Sequence, residues 1–196
     1  MTKSFEEKIL NTINALLNEK EHLLIAVDGR CASGKTTLAD RLREKTGCNV
    51  IRTDHFFLPF DLRTDSRYNL PGGNFHRERF IEEVMIPLCR GESFSYRPFD
   101  CKTGGLGDSI YIPYKRINVI EGSYSAHPEL FDKYDLRFFI TVDNKTQLER
   151  ISERNGKDAV EIFKNKWIPL EERYFAAFSI PLRCDLLIDT SKDRHK

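Results

Sequence analysis

Residues 23 to 36 constrain this chain more than any other stretch. The apolar run Leu23-Leu24-Ile25-Ala26-Val27 has the length of a buried strand, and the helical pattern TTLADRLREK begins at Thr36. Between them Gly29, Arg30, Cys31, Ala32, Ser33, Gly34, Lys35 and Thr36 fit G-x-x-x-x-G-K-[ST] at every fixed position. The two glycines permit a tight turn in which successive N–H groups point into one concavity. The helix that follows adds its own unpaired N–H groups and the positive end of its dipole. The pattern predicts a triphosphate cradle built from Gly29 to Thr37, with Lys35 on the outer phosphates and the Thr36 hydroxyl on Mg²⁺. An ordinary Gly-rich turn is the alternative, and the strand and helix patterns on its two flanks argue against it. Lys35, at the mouth between loop and helix, is expected to face solvent.

The rest of the chain alternates in the same way. A length of 196 residues suits a single domain spanning 1–196. Ser4 with Glu7 resembles a capping box, and Ile9, Ile13, Leu16 and Leu17 recur at helical spacing, so residues 1–21 hold a lead-in helix. The strand NVIR leads to Asp54, and a Gly- and Pro-rich segment (58–74) leads to a helix FHRERFIEEVMIPL with Asn74 as its expected cap. SFSYRPFD and SIYIPY alternate as strands and predict a hairpin at 94–112. INVI ending at Glu121, LRFFITV ending at Asp143, and DLLIDT complete the strands. Buried-type strands separated by helices predict a parallel sheet covered on both faces, with ligands at its carboxyl edge. That edge gathers the phosphate loop, Asp54, Glu121 and Asp143.

Composition excludes several classes. A net charge of +1 gives no reason to expect nucleic acid or an acidic membrane surface as partner. No apolar run approaches the ~18 residues of a spanning helix, and MTKSFEEKIL lacks the pattern of a secretory signal. Cysteines 31, 48, 89, 101 and 184 and histidines 22, 55, 76, 127 and 195 have no metal-ligand spacing. These features suit a cytoplasmic protein acting on a small molecule and leave homo-oligomer formation open.

Individual side chains carry narrower expectations. Glu121, followed by the turn-permitting Gly122, can hold Mg²⁺ directly or through water, or merely neighbour a helix start. Asp28 either helps place Mg²⁺ or ends a strand. Cys31 is either a thiol activated by the helix N-terminus or a small inert filler. Arg150 and Arg154, four apart, share one helix face, as solvated basic pairs commonly do. Phe56, Phe57, Tyr68, Tyr96, Phe99 and Asp100 are candidates for an acceptor pocket. DNKT at 143–146 partly matches a guanine-reading N-K-x-D motif, but Gln147 stands where the aspartate would be, which disfavours a nucleotide-dependent switch.

The phosphate loop, RTDHFF, NVIEGSYSAHPEL and QLERISERNG together resemble the uridine kinase-like family of P-loop small-molecule kinases over residues 22–190. The resemblance implies a five-stranded parallel sheet flanked by helices, a small β-hairpin, and a helical lid at 144–160. It implies ATP and Mg²⁺, with Asp54 accepting the acceptor's hydroxyl proton and Arg150 and Arg154 closing over the triphosphate. The acceptor implied is a nucleoside of the uridine or cytidine kind. A different small alcohol, such as pantothenate or a ribosylated vitamin precursor, keeps the same chemistry. Leu70 and Gly104 stand where well-characterised uridine kinases carry an aspartate and a histidine that would read base or sugar.

Overall fold

The computed structural model describes residues 3–192, with side chains from residue 6 onward. The Ser4 side chain of the proposed capping box, and His195, therefore lie outside what is described. Among the described residues there are nine strands: β1 (Leu23–Gly29), β2 (Asn49–Arg52), β3 (Phe94–Tyr96), β4 (Phe99–Asp100), β5 (Gly105–Leu106), β6 (Ile110–Ile112), β7 (Ile117–Glu121), β8 (Leu136–Thr141) and β9 (Leu186–Asp189). Five of them form one sheet in the order β2-β7-β1-β8-β9, and each neighbouring pair is parallel. The expected hairpin is present as two short antiparallel ladders, β3 with β6 and β4 with β5.

β1 is the central strand, and all seven of its residues are buried. Its side chains alternate between two cores, as a period of two requires. Leu23, Ile25 and Val27 pack with Ile9 and Ile13 of the Lys3–Glu19 helix and with Leu38 and Leu42 of the Lys35–Thr46 helix. Leu24 and Ala26 pack on the other face with Phe56, Phe75, Phe80 and Tyr174. A strand buried on both faces reads as a continuous apolar run, which is how residues 23–27 appear in the sequence.

Two helices depart from simple expectation. The helix after Asn74 begins at Arg77 with His76 as its N-cap residue, and it widens into a π-turn over Ile81–Met85 before Ile86–Arg90. Asn74 is therefore not the cap. Phe163–Trp167 is a second π-turn, leading into the Ile168–Phe178 helix. In both cases a proline, Pro87 or Pro169, follows by two residues. Proline donates no hydrogen bond and crowds the carbonyl four residues back, so the ladder slips by one position. Among the described residues, no helix is long and apolar enough to cross a membrane.

Candidate functional site

β1 leaves the sheet through Gly29, whose φ is +137°. A Cβ there would lie 2.0 Å from the Ile140 carbonyl oxygen, so only glycine fits. Ala32 (φ 57°) and Gly34 (φ 97°) then bend the loop into the Lys35–Thr46 helix. A non-glycine residue at positive φ is strain of the kind that functional loops retain. Lys35 is buried, contrary to the solvent-facing expectation, and donates to the Gly29 and Arg30 carbonyls at 2.8 and 2.9 Å. The loop's own carbonyls fold back over the ammonium and cover it.

Asp28 is fully buried beneath this loop. Its Oδ1 accepts from the Gly29 N–H at 2.7 Å, and its Oδ2 from the Ala126 N–H and the Tyr174 hydroxyl, both at 2.8 Å. Burial is the largest influence on its pKa, raising it from 3.8 to about 6 against those hydrogen bonds. Asp28 is not on the wall of the cavity described next. Of its two expected roles, ending a strand is the one with a visible purpose: it ties β1 to two distant segments.

A cavity of about 880 Å³ opens above the loop. Its wall includes Cys31 to Thr37, Asp54, Glu121, Arg150 and Arg154. Glu121, at the end of β7, pairs in register with Val27 of β1 and Arg52 of β2, so the parallel ladder carries it to the loop's level. The Thr36 hydroxyl donates to Glu121 Oε1 at 3.1 Å. These are hard oxygen donors of the type Mg²⁺ takes, beside phosphate oxygens and water. Burial raises the Glu121 pKa, Lys35 opposes that, and Asp54 adds to it, so added positive charge would stabilise the ionised pair. Ser33 Oγ is also buried without a hydrogen-bond partner among the described residues. Gly122 follows at φ +132°, where a Cβ would meet Thr53 Oγ1 at 2.1 Å, and this close approach joins β7 to the Thr53–Phe56 turn that bears Asp54.

The expected lid divides in two. The Asn144–Asn155 helix is fixed: Ile151 is buried, and Gln147 donates to the Cys31 carbonyl at 3.0 Å. Arg150 is buried on the same face, donating to the Ala32 carbonyl (3.3 Å) and to Thr190 Oγ1 and O (3.0 and 2.8 Å). Arg154 is exposed, bonded to Asn155 and set over the Phe163 ring. Beyond Gly156, neither the Lys157–Ile162 helix nor the following π-turn has a buried residue. Packing thus separates a rigid arm, 144–155, from a loosely held one, 157–167.

No family model matches the chain. It is 27% identical to uridine-cytidine kinase B of Dictyostelium discoideum, over 70% of this chain and 60% of that protein, so it spans less than two thirds of that relative's length. It is 24% identical to uridine-cytidine kinase 2-B of Danio rerio, over 89% of this chain and 75% of that one. The solved structure of a possible uridine kinase from Bacillus stearothermophilus superposes with a TM-score of 0.66 at 19% identity, covering 95% of this chain and 100% of that one. The chain is similar to uridine-cytidine kinases. Its fold is that of the P-loop kinases, with the five-stranded parallel sheet the motifs implied.

Several expected site residues serve other ends. Gly29 and Arg30 are not on the cavity wall. The Arg30 N–H donates to Ile140, and its guanidinium to Glu172, the Val142 carbonyl and Asn144. Burial, then the Glu171 charge, pushes the Cys31 thiol up to about 12, so it is an inert filler. Asp143 caps the Asn144–Asn155 helix through Thr146 and is not a cavity residue. With Asn144 on Arg30 and the next helical residue after DNKT, Gln147, on Cys31, this segment braces the loop. Among the acceptor-pocket candidates, Phe57 and Tyr68 reach the wall, while Phe56, Tyr96 and Phe99 are packing residues and Asp100 closes its own turn with Lys102 and Thr103.

The wall residues that the sequence did not assign to a site include Glu171, Ser123, Arg63 and Asn74. Glu171 accepts from the Cys31 N–H at 2.9 Å and from the Ser123 hydroxyl at 2.5 Å. Its separation of 140 residues from Cys31 leaves no local signal. The only hint was in the run LEERY, where Glu171 and Tyr174 are spaced to share a helix face.

Proposed function

We propose that this chain is an ATP-dependent, cytoplasmic kinase that transfers the γ-phosphoryl group to a hydroxyl of a nucleoside or related small metabolite. The observation that carries the proposal is one cavity whose wall holds the phosphate loop, the Thr36–Glu121 pair, the exposed carboxylate Asp54, and Arg150 and Arg154. The loop from Ala32 to Thr37, with the first-turn N–H groups of its helix, would cradle the phosphates. Lys35 would leave the Gly29 and Arg30 carbonyls for the outer phosphates. Thr36 and Glu121 would hold Mg²⁺, which when bound neutralises charge on the phosphate oxygens. Asp54 orients the acceptor hydroxyl and takes its proton as the oxygen attacks. Arg150, already anchored, and Arg154, on the exposed side, stabilise charge on the transferred group. The test is ADP release with Mg²⁺-ATP, with and without a panel of nucleosides and small alcohols. Acceptor-dependent release supports the proposal, and ATP turnover indifferent to every alcohol refutes it.

A further inference from the structure

Arg63 is a cavity cation with no carboxylate partner among the described residues. It lies on the cavity wall in the segment that follows Asp54. Its Nε donates to the Leu58 carbonyl at 2.7 Å, and its guanidinium lies 4.4 Å from the Phe60 ring centroid and 5.8 Å from that of Phe99. The bond and the stacking fix the plane of the group and leave both Nη atoms without a partner among the described residues. Neighbouring arginines are neutralised: Arg67 by Glu78, Arg77 by Glu129, Arg79 by Glu83. A planar guanidinium held in place, stacked and lacking a carboxylate is the arrangement that binds an oxyanion with two parallel hydrogen bonds.

Asn74 supplies an independent sign of a ligand. It lines the same cavity at 3% exposure, with its side chain at the Tyr124 hydroxyl, and its Oδ1 has no hydrogen-bond partner among the described residues. A buried acceptor of this kind carries a desolvation cost until a donor reaches it. Its loop is rigid, because Arg67 donates to the Gly73 and Phe75 carbonyls while paired with Glu78. The Asn74 carbonyl also accepts from Leu58 N–H, the residue whose carbonyl holds Arg63. One residue, Leu58, thus sets both groups in a single frame, four positions after Asp54. Aromatic surface there is limited, since the Phe57 ring already stacks on Trp167.

We infer that the acceptor is a small alcohol bearing an anionic group, a carboxylate or a phosphate, held by Arg63, with a second hydroxyl or N–H donated to Asn74 Oδ1. The inference rests on the kinase reading of this site and narrows its acceptor. Asp54 then faces the reacting hydroxyl, and Arg63 excludes neutral analogues by lacking any other partner for its charge.

The test is ADP release by the wild-type chain with four acceptor groups: neutral nucleosides, neutral polyols, hydroxy acids and alcohol phosphates. Turnover is expected with a hydroxy acid or an alcohol phosphate, and whichever group responds identifies the anion. Arg63→Gln should raise the acceptor KM at least about tenfold, the loss expected for one charge-assisted contact, while the ATP KM stays within about twofold. Arg63→Lys should recover part of the loss, and Asn74→Ala should raise the acceptor KM with ATP affinity retained as proof of folding. Turnover confined to neutral acceptors, with KM unchanged in Arg63→Gln, overturns the inference and leaves the kinase reading intact. Should no alcohol elicit ADP release, the kinase reading fails, and calorimetric titration of the anionic alcohols decides the rest. Binding lost in Arg63→Gln then supports an anion site, and no binding to the wild type overturns it.

Discussion

Replacing Asp28 with alanine isolates the buried tie beneath the phosphate loop. The substitution leaves three buried donors, the Gly29 and Ala126 N–H groups and the Tyr174 hydroxyl, without their acceptor. At about 1–3 kcal/mol for each orphaned group, the loss is about 3–9 kcal/mol. An opposing contribution comes from removing a buried charge. The Asp28 pKa is raised from 3.8 to about 6, so ionising it in the folded state costs about 3 kcal/mol at pH 8. A raised folded-state pKa stabilises the fold fully below the unfolded value of 3.8, and that stabilisation is lost as pH rises through about 6. At pH 5 about half of it is present in the wild type, at pH 8 almost none, and the alanine variant has none at either pH. The expected deficit is therefore about 0–6 kcal/mol at pH 8 and larger by about 1 kcal/mol at pH 5. Urea unfolding of both proteins at the two pH values, followed by fluorescence, measures it. A deficit equal at both pH values, or larger at pH 8, would refute the linkage. A deficit below about 1 kcal/mol at pH 5 would refute the hydrogen-bond argument itself.

Other expectations concern turnover and motion. Lys35→Ala should lower kcat at least about a hundredfold, since one lost transition-state donor costs about 3 kcal/mol, and undiminished turnover would remove Lys35 from the mechanism. Asp54→Asn should reduce kcat strongly, with the ATP Kd nearly unchanged and stability within about 0.5 kcal/mol, because the side chain is exposed. Weakened ATP binding with kcat preserved would place Asp54 on the nucleotide side instead. Amide hydrogen exchange should slow across 157–167 on adding a non-hydrolysable ATP analogue and change little across 144–155, given the packing of Gln147, Arg150 and Ile151. Equal exchange in 157–167 with and without analogue would mean that no lid closes there.

What the sequence determined by itself is what depends on neighbours along the chain. The phosphate loop is one such case, because its glycines, lysine and helix start lie within eight residues and their geometry is local. The five parallel strands are another, since burial on both faces writes itself as short apolar runs, and their ends predict that Asp54 and Glu121 meet the loop. Tertiary structure alone decided the rest. Lys35 is covered by carbonyls that the loop turns back upon it, and Arg30 is drawn away from the cavity by partners more than 110 residues distant. Asp143 has an exposed strand-end position like Asp54, yet Thr146 claims it as a cap. Glu171 and Arg63 enter the site, and Asn74 leaves its expected cap, through contacts that no periodicity records. Such contacts depend on which segments the sheet order brings side by side, and a hydrogen bond across a fold has no spacing along the chain.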